Sequence, residues 1–174
     1  MRIHISIFIF FLCSNSIFAQ QYWITQPTPV NTWLNSCSFT DSLNGWAAGE
    51  NGVIIHTSNG GNTWILQNSP IDFFINKIKF IDPLHGWAIA NDVFGNGTAI
   101  LSTTNGGTNW SMTRYPDTTQ FFYSVDFANP STGWLCGFNG GFAKTTDGGI
   151  TWTPAGRDSS FHSSLAAYNI SMYN

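Results

Sequence analysis

Carboxylates, imidazoles and thiols are the groups through which this chain could do chemistry, and they are few. Asp and Glu number 9, His 4 and Cys 3 among 174 residues. Hydrolysis of a glycosidic bond needs two carboxyl groups about 5–10 Å apart. Asp117 and Asp158 come nearest to that need, on neighbouring connecting segments, but no supporting motif surrounds them. Metal sites need several converging His, Cys or carboxylate ligands. His56, His85 and His162 stand singly, and no Cys/His cluster has ligand spacing. The sequence therefore offers no catalytic residue, no metal site and no cofactor site.

One carboxylate, Asp147, sits in an octapeptide written three times: TSNGGNTW at 57–64, TTNGGTNW at 103–110 and TTDGGITW at 145–152. Asn59 and Asn105 hold its place in the other copies. A catalytic carboxylate would not tolerate that exchange, and a calcium loop would find at most one carboxylate per copy. The octapeptide reads instead as a device of the fold. Asn and Asp side chains bind backbone N–H groups two residues on and set a tight turn. The pairs Gly60-Gly61, Gly106-Gly107 and Gly148-Gly149 permit positive φ. Trp64, Trp110 and Trp152 then open a strand. Burying an indole removes ~150–250 Å² from water, about 4–6 kcal/mol gross.

The elements that carry this turn repeat with it. Upstream of each copy stand a Phe (Phe39, Phe80, Phe127) and a Gly-Trp pair (Trp46, Trp87, Trp134). Trp46–Trp64 and Trp134–Trp152 are equally spaced, and Trp87–Trp110 is longer, its extra residues lying in NDVFGNG at 91–97. Trp23 and Trp33 fit the same scheme, because WITQPTP at 23–29 matches WILQNSP at 64–70, and Trp33 matches Phe74 and Phe121. Each unit holds four short strand signals separated by turn residues. Four strands in a period of about 40–45 residues mark a β-propeller blade. The expected layout is a signal peptide over 1–19 and a partial propeller over 20–174. Within the latter we expect a lone closing strand at 20–30, blades at 33–68, 74–114 and 121–156, and the first strand of a fourth blade at 168–174. Propellers close with about 4–8 blades, so the expectation is a fragment of a larger propeller, of seven blades for instance. If the chain is complete, it is expected to self-associate through its open blade faces.

The opening MRIHISIFIFFLCSNSIFAQ has one Arg, an apolar run too short to span a bilayer, and small or polar residues up to Ala19. That is the pattern of a secretory leader, and it predicts a secreted, periplasmic or cell-surface protein without an integral span after cleavage. The formal charge is −3, and losing Arg2 makes the remainder more acidic. Nucleic acid, which demands a clustered basic surface, is excluded as a partner. Cys37 and Cys136 align with apolar residues of the other units and are expected in the core, unpaired.

The octapeptide resembles the Asp-box, S/T-x-D/N-x-G-x-T-W, of BNR-repeat propellers, with Thr108-Asn109 reversed relative to Asn62-Thr63. The whole unit, F-x-D, G-W-x-x-G, G-x-I-x-x-T and D/N-G-G-x-T-W, is most similar to the photosystem II stability/assembly factor family. That resemblance implies a non-catalytic, extracytoplasmic scaffold that binds protein. Sialidases and xyloglucan-active glycosidases share the box. A sialidase of this type needs three arginines and a Tyr/Glu pair; Arg114, Arg157 and Glu50 are all that follow the leader, so a complete sialidase site is excluded. A xyloglucanase-like enzyme and a passive adhesive module are the alternatives.

Antiparallel blades divide the loops between two faces. The boxes share one face with the strand one–two turns. In the resembling enzymes the boxes lie away from the active site, which implies that the opposite face is the working one. That face carries the candidate binding residues Phe73, Phe94, Arg114, Tyr115, Arg157 and His162, since Arg and aromatic residues are the usual anchors of interfaces. On the innermost strand, Lys79 and Asp126 hold one repeat position and are expected to pair across adjacent blades.

Overall fold

In a computed structural model the described residues are 25–92, 94–155 and 169–171. They form three consecutive four-stranded antiparallel sheets, the blades of a β-propeller. The first holds β1 (Leu34–Phe39), β2 (Gly45–Gly49), β3 (Ile54–Thr57) and β4 (Ile65–Gln67). The second holds β5 (Ile75–Phe80), β6 (Gly86–Asp92), β7 (Gly97–Thr103) and β8 (Ser111–Arg114). The third holds β9 (Phe122–Phe127), β10 (Gly133–Gly137), β11 (Phe142–Thr145) and β12 (Thr153–Pro154). Every blade pairs in chain order. The expected leader lies outside the described residues. No helix among the described residues is long and apolar enough to cross a membrane.

The Gly of each Gly-Trp pair is dictated by its neighbour across the strand pair. A Cβ on Gly86 would lie 2.4 Å from the ring of Phe80, and one on Gly45 or Gly133 would meet Phe39 or Phe127 in the same way. The tryptophan that follows then points at the next blade. Trp46 stacks on Phe80 with centroids 3.7 Å apart, and Trp87 on Phe127 at 3.5 Å. Each Phe in turn meets its own box tryptophan edge-on, Phe80 with Trp110 and Phe127 with Trp152. Edge-on pairs are a favoured aromatic geometry, and the parallel stacks put ring on ring at van der Waals contact. The indole N–H completes the joint: Trp46 Nε1 donates to Gly106 O (3.1 Å) and Trp87 Nε1 to Gly148 O (2.8 Å).

Because side chains alternate along a strand, β6 and β7 serve both joints. Ala88, Ala90, Ala99 and Leu101 pack toward the first blade with Trp46, Ile54 and Ile78. Trp87, Ile89 and Ile100 pack toward the third with Val125, Leu135 and Trp152.

The innermost strands are joined by polar groups. Ser36 Oγ and Ser38 Oγ accept from the N–H groups of Ile78 (3.2 Å) and Phe80 (2.9 Å). Lys79 Nζ lies 2.9 Å from Asp126 Oδ1, the cross-blade pair expected from the alignment. Ile170 N–H donates to Ser124 Oγ at 3.2 Å, repeating the Ile78–Ser36 bond. The chain at 25–30 forms no strand, although Gln26 stands against Gly61 as Gln67 does against Gly107. Cys136 is buried as expected, and burial pushes its thiol up to about 11. Cys37 departs from expectation and is exposed. Among the described residues no sheet covers its side of β1, whereas Ile78 and Val125 sit between blades.

Candidate functional site

The box turns have one geometry in all three copies. Thr57 Oγ1 accepts from Gly61 N–H (2.9 Å), and Asn59 Oδ1 accepts from Thr63 N–H (2.9 Å). Thr103 and Asn105 hold Gly107 and Asn109 in the same way, and Thr145 and Asp147 hold Gly149 and Thr151. The side chain thus reaches the N–H four residues on, two residues further than the turn expected. The difference arises because the preceding threonine, buried in each copy, takes the inner N–H groups. The reversed Thr108-Asn109 order keeps the backbone bond from Asn109 to Asn105, whereas Thr63 and Thr151 add a hydroxyl bond to Asn59 and Asp147. Gly60 and Gly61 adopt φ of +68° and +91°, which the glycine pair permits. Trp110 and Trp152 are buried, and Trp64 is half-buried in the first blade. The Thr151 hydroxyl and N–H bind Asp147 and hold its carboxyl down at about 2.

The boxes lie beside the strand one–two turns: Gly60, Gly106 and Gly148 donate their N–H groups to Leu43, Leu84 and Ser131 carbonyls. The opposite face brings three of the six expected binding residues together. Phe73 comes from the connection between β4 and β5, Phe94 from the β6–β7 turn and Arg114 from the end of β8. They line one groove with Pro70, Asp72 and Met112, about 450 Å³ in volume. Arg114 has three contacts. Its guanidinium lies 3.3 Å from Asp92 Oδ2 and 3.1 Å from Asn96 O, and its Cζ sits 5.7 Å from the centre of the Phe73 ring. Asp92 is also held by the Asn96 amide and the Phe94 N–H, and these with Arg114 keep its carboxyl below the usual range. Phe94 is 90% exposed. A cation and an exposed ring thus flank a groove on a turn whose base is tied down.

Tyr115 does not join them. It is 6% exposed and packs edge-on against Phe122 in the joint between the second and third blades. The step from Arg114 to Tyr115 carries successive side chains to opposite sides of the chain, so only one of the two reaches the groove. Arg157 and His162 lie outside the described residues, as does Asp158. Other aromatic residues on this face escaped the sequence reading. Phe74, Phe121 and Tyr123, with Asn76 and Asn91, line a second pocket of about 420 Å³ at the starts of β5 and β9. The signal was present, since Trp33, Phe74 and Phe121 share a repeat position, but a strand-opening aromatic reads as core.

Four carboxylates outside the boxes serve turns and joints. Asp41 caps the β1–β2 turn through Leu43 and Asn44 N–H, and Asp82 caps the β5–β6 turn through Leu84 and His85 N–H. Asp126 pairs with Lys79, and Asp117 accepts from Thr119. Among the described residues no three His, Cys, Asp or Glu side chains are placed to hold a metal ion.

Comparison with known proteins places this geometry among its relatives. Residues 16–116 match the family described as photosynthesis system II assembly factor YCF48. Among solved structures, YCF48 bound to D1 peptide superposes with a TM-score of 0.65 at 24% identity, over 75% of this chain and 42% of that one. YCF48 from Cyanidioschyzon merolae gives 0.64 at 23% identity, over 75% and 42%. An ancestral GH74 enzyme gives 0.61 at 24% identity, over 76% of this chain and 20% of its own. These likenesses show the fold, and the chain spans 42% of the length of the two YCF48 structures. No curated protein matches it.

Proposed function

Because the chain belongs to the photosynthesis system II assembly factor YCF48 family, we propose that it is a non-catalytic, extracytoplasmic scaffold. On this reading it binds a segment of a partner protein on the face opposite its boxes. The observation that carries this reading is the convergence of Phe73, Phe94 and Arg114 on one groove. An exposed ring beside a braced guanidinium is the composition of interface hot spots. Rigid blades below a turn that projects Phe94 leave little ordering cost at binding. Family membership supports a protein partner, and a solved relative is a YCF48 bound to D1 peptide. The leader-like first residues support export. The engagement of Asp41, Asp82, Asp126 and Asp147 in turns and joints supports the absence of catalysis.

Selection of peptides from a displayed random library tests the reading. Selected peptides are expected to bind the chain saturably, and Phe94→Ala or Arg114→Ala to weaken them at least ~10-fold. Phe94 touches no core, so its loss leaves the fold intact. Peptides that bind both variants as well as the parent would place recognition elsewhere and sink the proposal.

A further inference from the structure

The groove of Phe73, Phe94 and Arg114 also carries charge, and the balance of that charge bears on what fits it. Asp72 and Asp92 line it together with Arg114, so two carboxylates face one guanidinium among the described lining residues. The two carboxylates differ in availability. Asp92 is 7% exposed and is engaged by Arg114, the Asn96 amide and the Phe94 N–H. Asp72 is exposed and belongs to no ion pair among the described residues. The carboxylate within a ligand's reach is therefore Asp72.

Arg114 by itself would suit an acidic segment, but its surroundings argue against one. The guanidinium already lies 3.3 Å from Asp92 Oδ2, donates to Asn96 O at 3.1 Å and stands over the Phe73 ring. An incoming carboxylate would share that cation with Asp92 and would also face Asp72. Like charges set against each other exclude a partner, and opposite charges select one. The apolar side of the groove suits the stem of a basic residue. Phe94 is 90% exposed and Met112 40%. Lys and Arg lay their methylene stems along apolar surface and keep the charged head free, and an aromatic face attracts a cation. The whole chain leans the same way, with 9 Asp and Glu against 6 Lys and Arg, a balance that draws cationic segments toward it.

We propose that this groove takes a basic segment of a partner protein, in which the charged head of a Lys or Arg pairs with Asp72 and its stem lies against Phe94 and Met112. The inference rests on the groove being the binding site and adds the chemistry of its occupant.

Selection of displayed random peptides against the full chain and against Asp72→Lys, with both pools sequenced, tests it. The parent pool is expected to be enriched at least ~3-fold in Lys and Arg over the unselected library and depleted in Asp and Glu. On Asp72→Lys that enrichment should vanish. A selected peptide should lose about 10-fold in affinity when its Lys or Arg becomes Glu, and about 3-fold on Asp72→Asn. Its affinity should also fall between about 50 mM and about 500 mM NaCl. Asp72 is exposed, so both variants are expected to fold. A pool rich in Asp and Glu, or one without charge bias, overturns the proposal; if its peptides still depend on Phe94 and Arg114, the groove stands as the binding site. Basic enrichment that survives Asp72→Lys also overturns it, as the general pull of an acidic chain. Peptides indifferent to Phe94→Ala and Arg114→Ala, or the absence of any saturable peptide, overturn the groove and this proposal together.

Discussion

Thr57, Thr103 and Thr145 carry as much of the box as the Asn or Asp that follows two residues later. Each hydroxyl accepts two backbone N–H groups, those of Asn59 and Gly61 in the first copy. Thr103→Val removes that acceptor at constant volume, and we expect a loss of about 1–3 kcal/mol in urea unfolding. Asn105→Ala should cost a similar amount, because Asn109 N–H loses its partner. Asp147 adds a pH dependence that Asn59 and Asn105 cannot. Its carboxyl is depressed from an ordinary 3.8 to about 2. The folded state therefore gains from the ionised form above the ordinary value, and that gain fades as pH falls from about 4 through about 2. Asp147→Asn should flatten this limb of the acid titration of stability; an unchanged limb would place the acid sensitivity in other groups. The asparagine was legible in the sequence because turn chemistry favours it. The threonine was not, since a hydroxyl at the end of a strand looks like any other β-branched residue until its burial is seen.

At the level of strands and joints, much of the architecture could be read from tryptophan and glycine alone. Gly-Trp and the box fall at fixed places in each unit, and the structure gives a steric reason for the first. Gly86→Ala would drive a methyl into Phe80 at 2.4 Å, in the middle of a stack that joins two blades. We expect at least ~2 kcal/mol of destabilisation and, by near-UV circular dichroism, a change in the Trp46 environment. Lys79→Met leaves Asp126, 2% exposed, without its cation. A loss of about 1–3 kcal/mol is expected, and Lys79→Met/Asp126→Leu should recover part of it. What the alignment could not show is which copy of a position has a neighbour. Cys37 shares its place with Ile78 and Val125 and yet is exposed, because burial here is a property of the joint and not of the strand. Tyr115 fails for the complementary reason. Loop residues were counted together on one face, but consecutive residues point apart, and Arg114 took the groove.

For the molecule as a whole, stability is set by blade-to-blade joints, so it is not uniform along the chain. The second blade contributes to both core clusters, while the first and third each contribute to one. Nearest-neighbour stacking of this kind makes the middle unit the last to open. Amide exchange should accordingly be slowest in β6 and β7 and faster in β3 and β11. Equal protection in all three blades would show a single cooperative unit. The faces differ in the same way. The box face carries the turns that hold the fold and exposes Leu43, Leu84 and Ile150, while the opposite face exposes Phe94 and Trp33. That division was predictable from strand direction, but the grouping of Phe74, Phe121 and Tyr123 was not, because it joins residues of two units. The joint itself has a hereditary side. The donor is a side chain of one unit, and the acceptor, Gly106 O or Gly148 O, is backbone of the next. No substitution at the acceptor deletes its carbonyl, so only one partner of each bond is exposed to mutation. A gene segment copied in tandem would arrive with its own plug and its own socket, and could lengthen the ring without inventing a new contact.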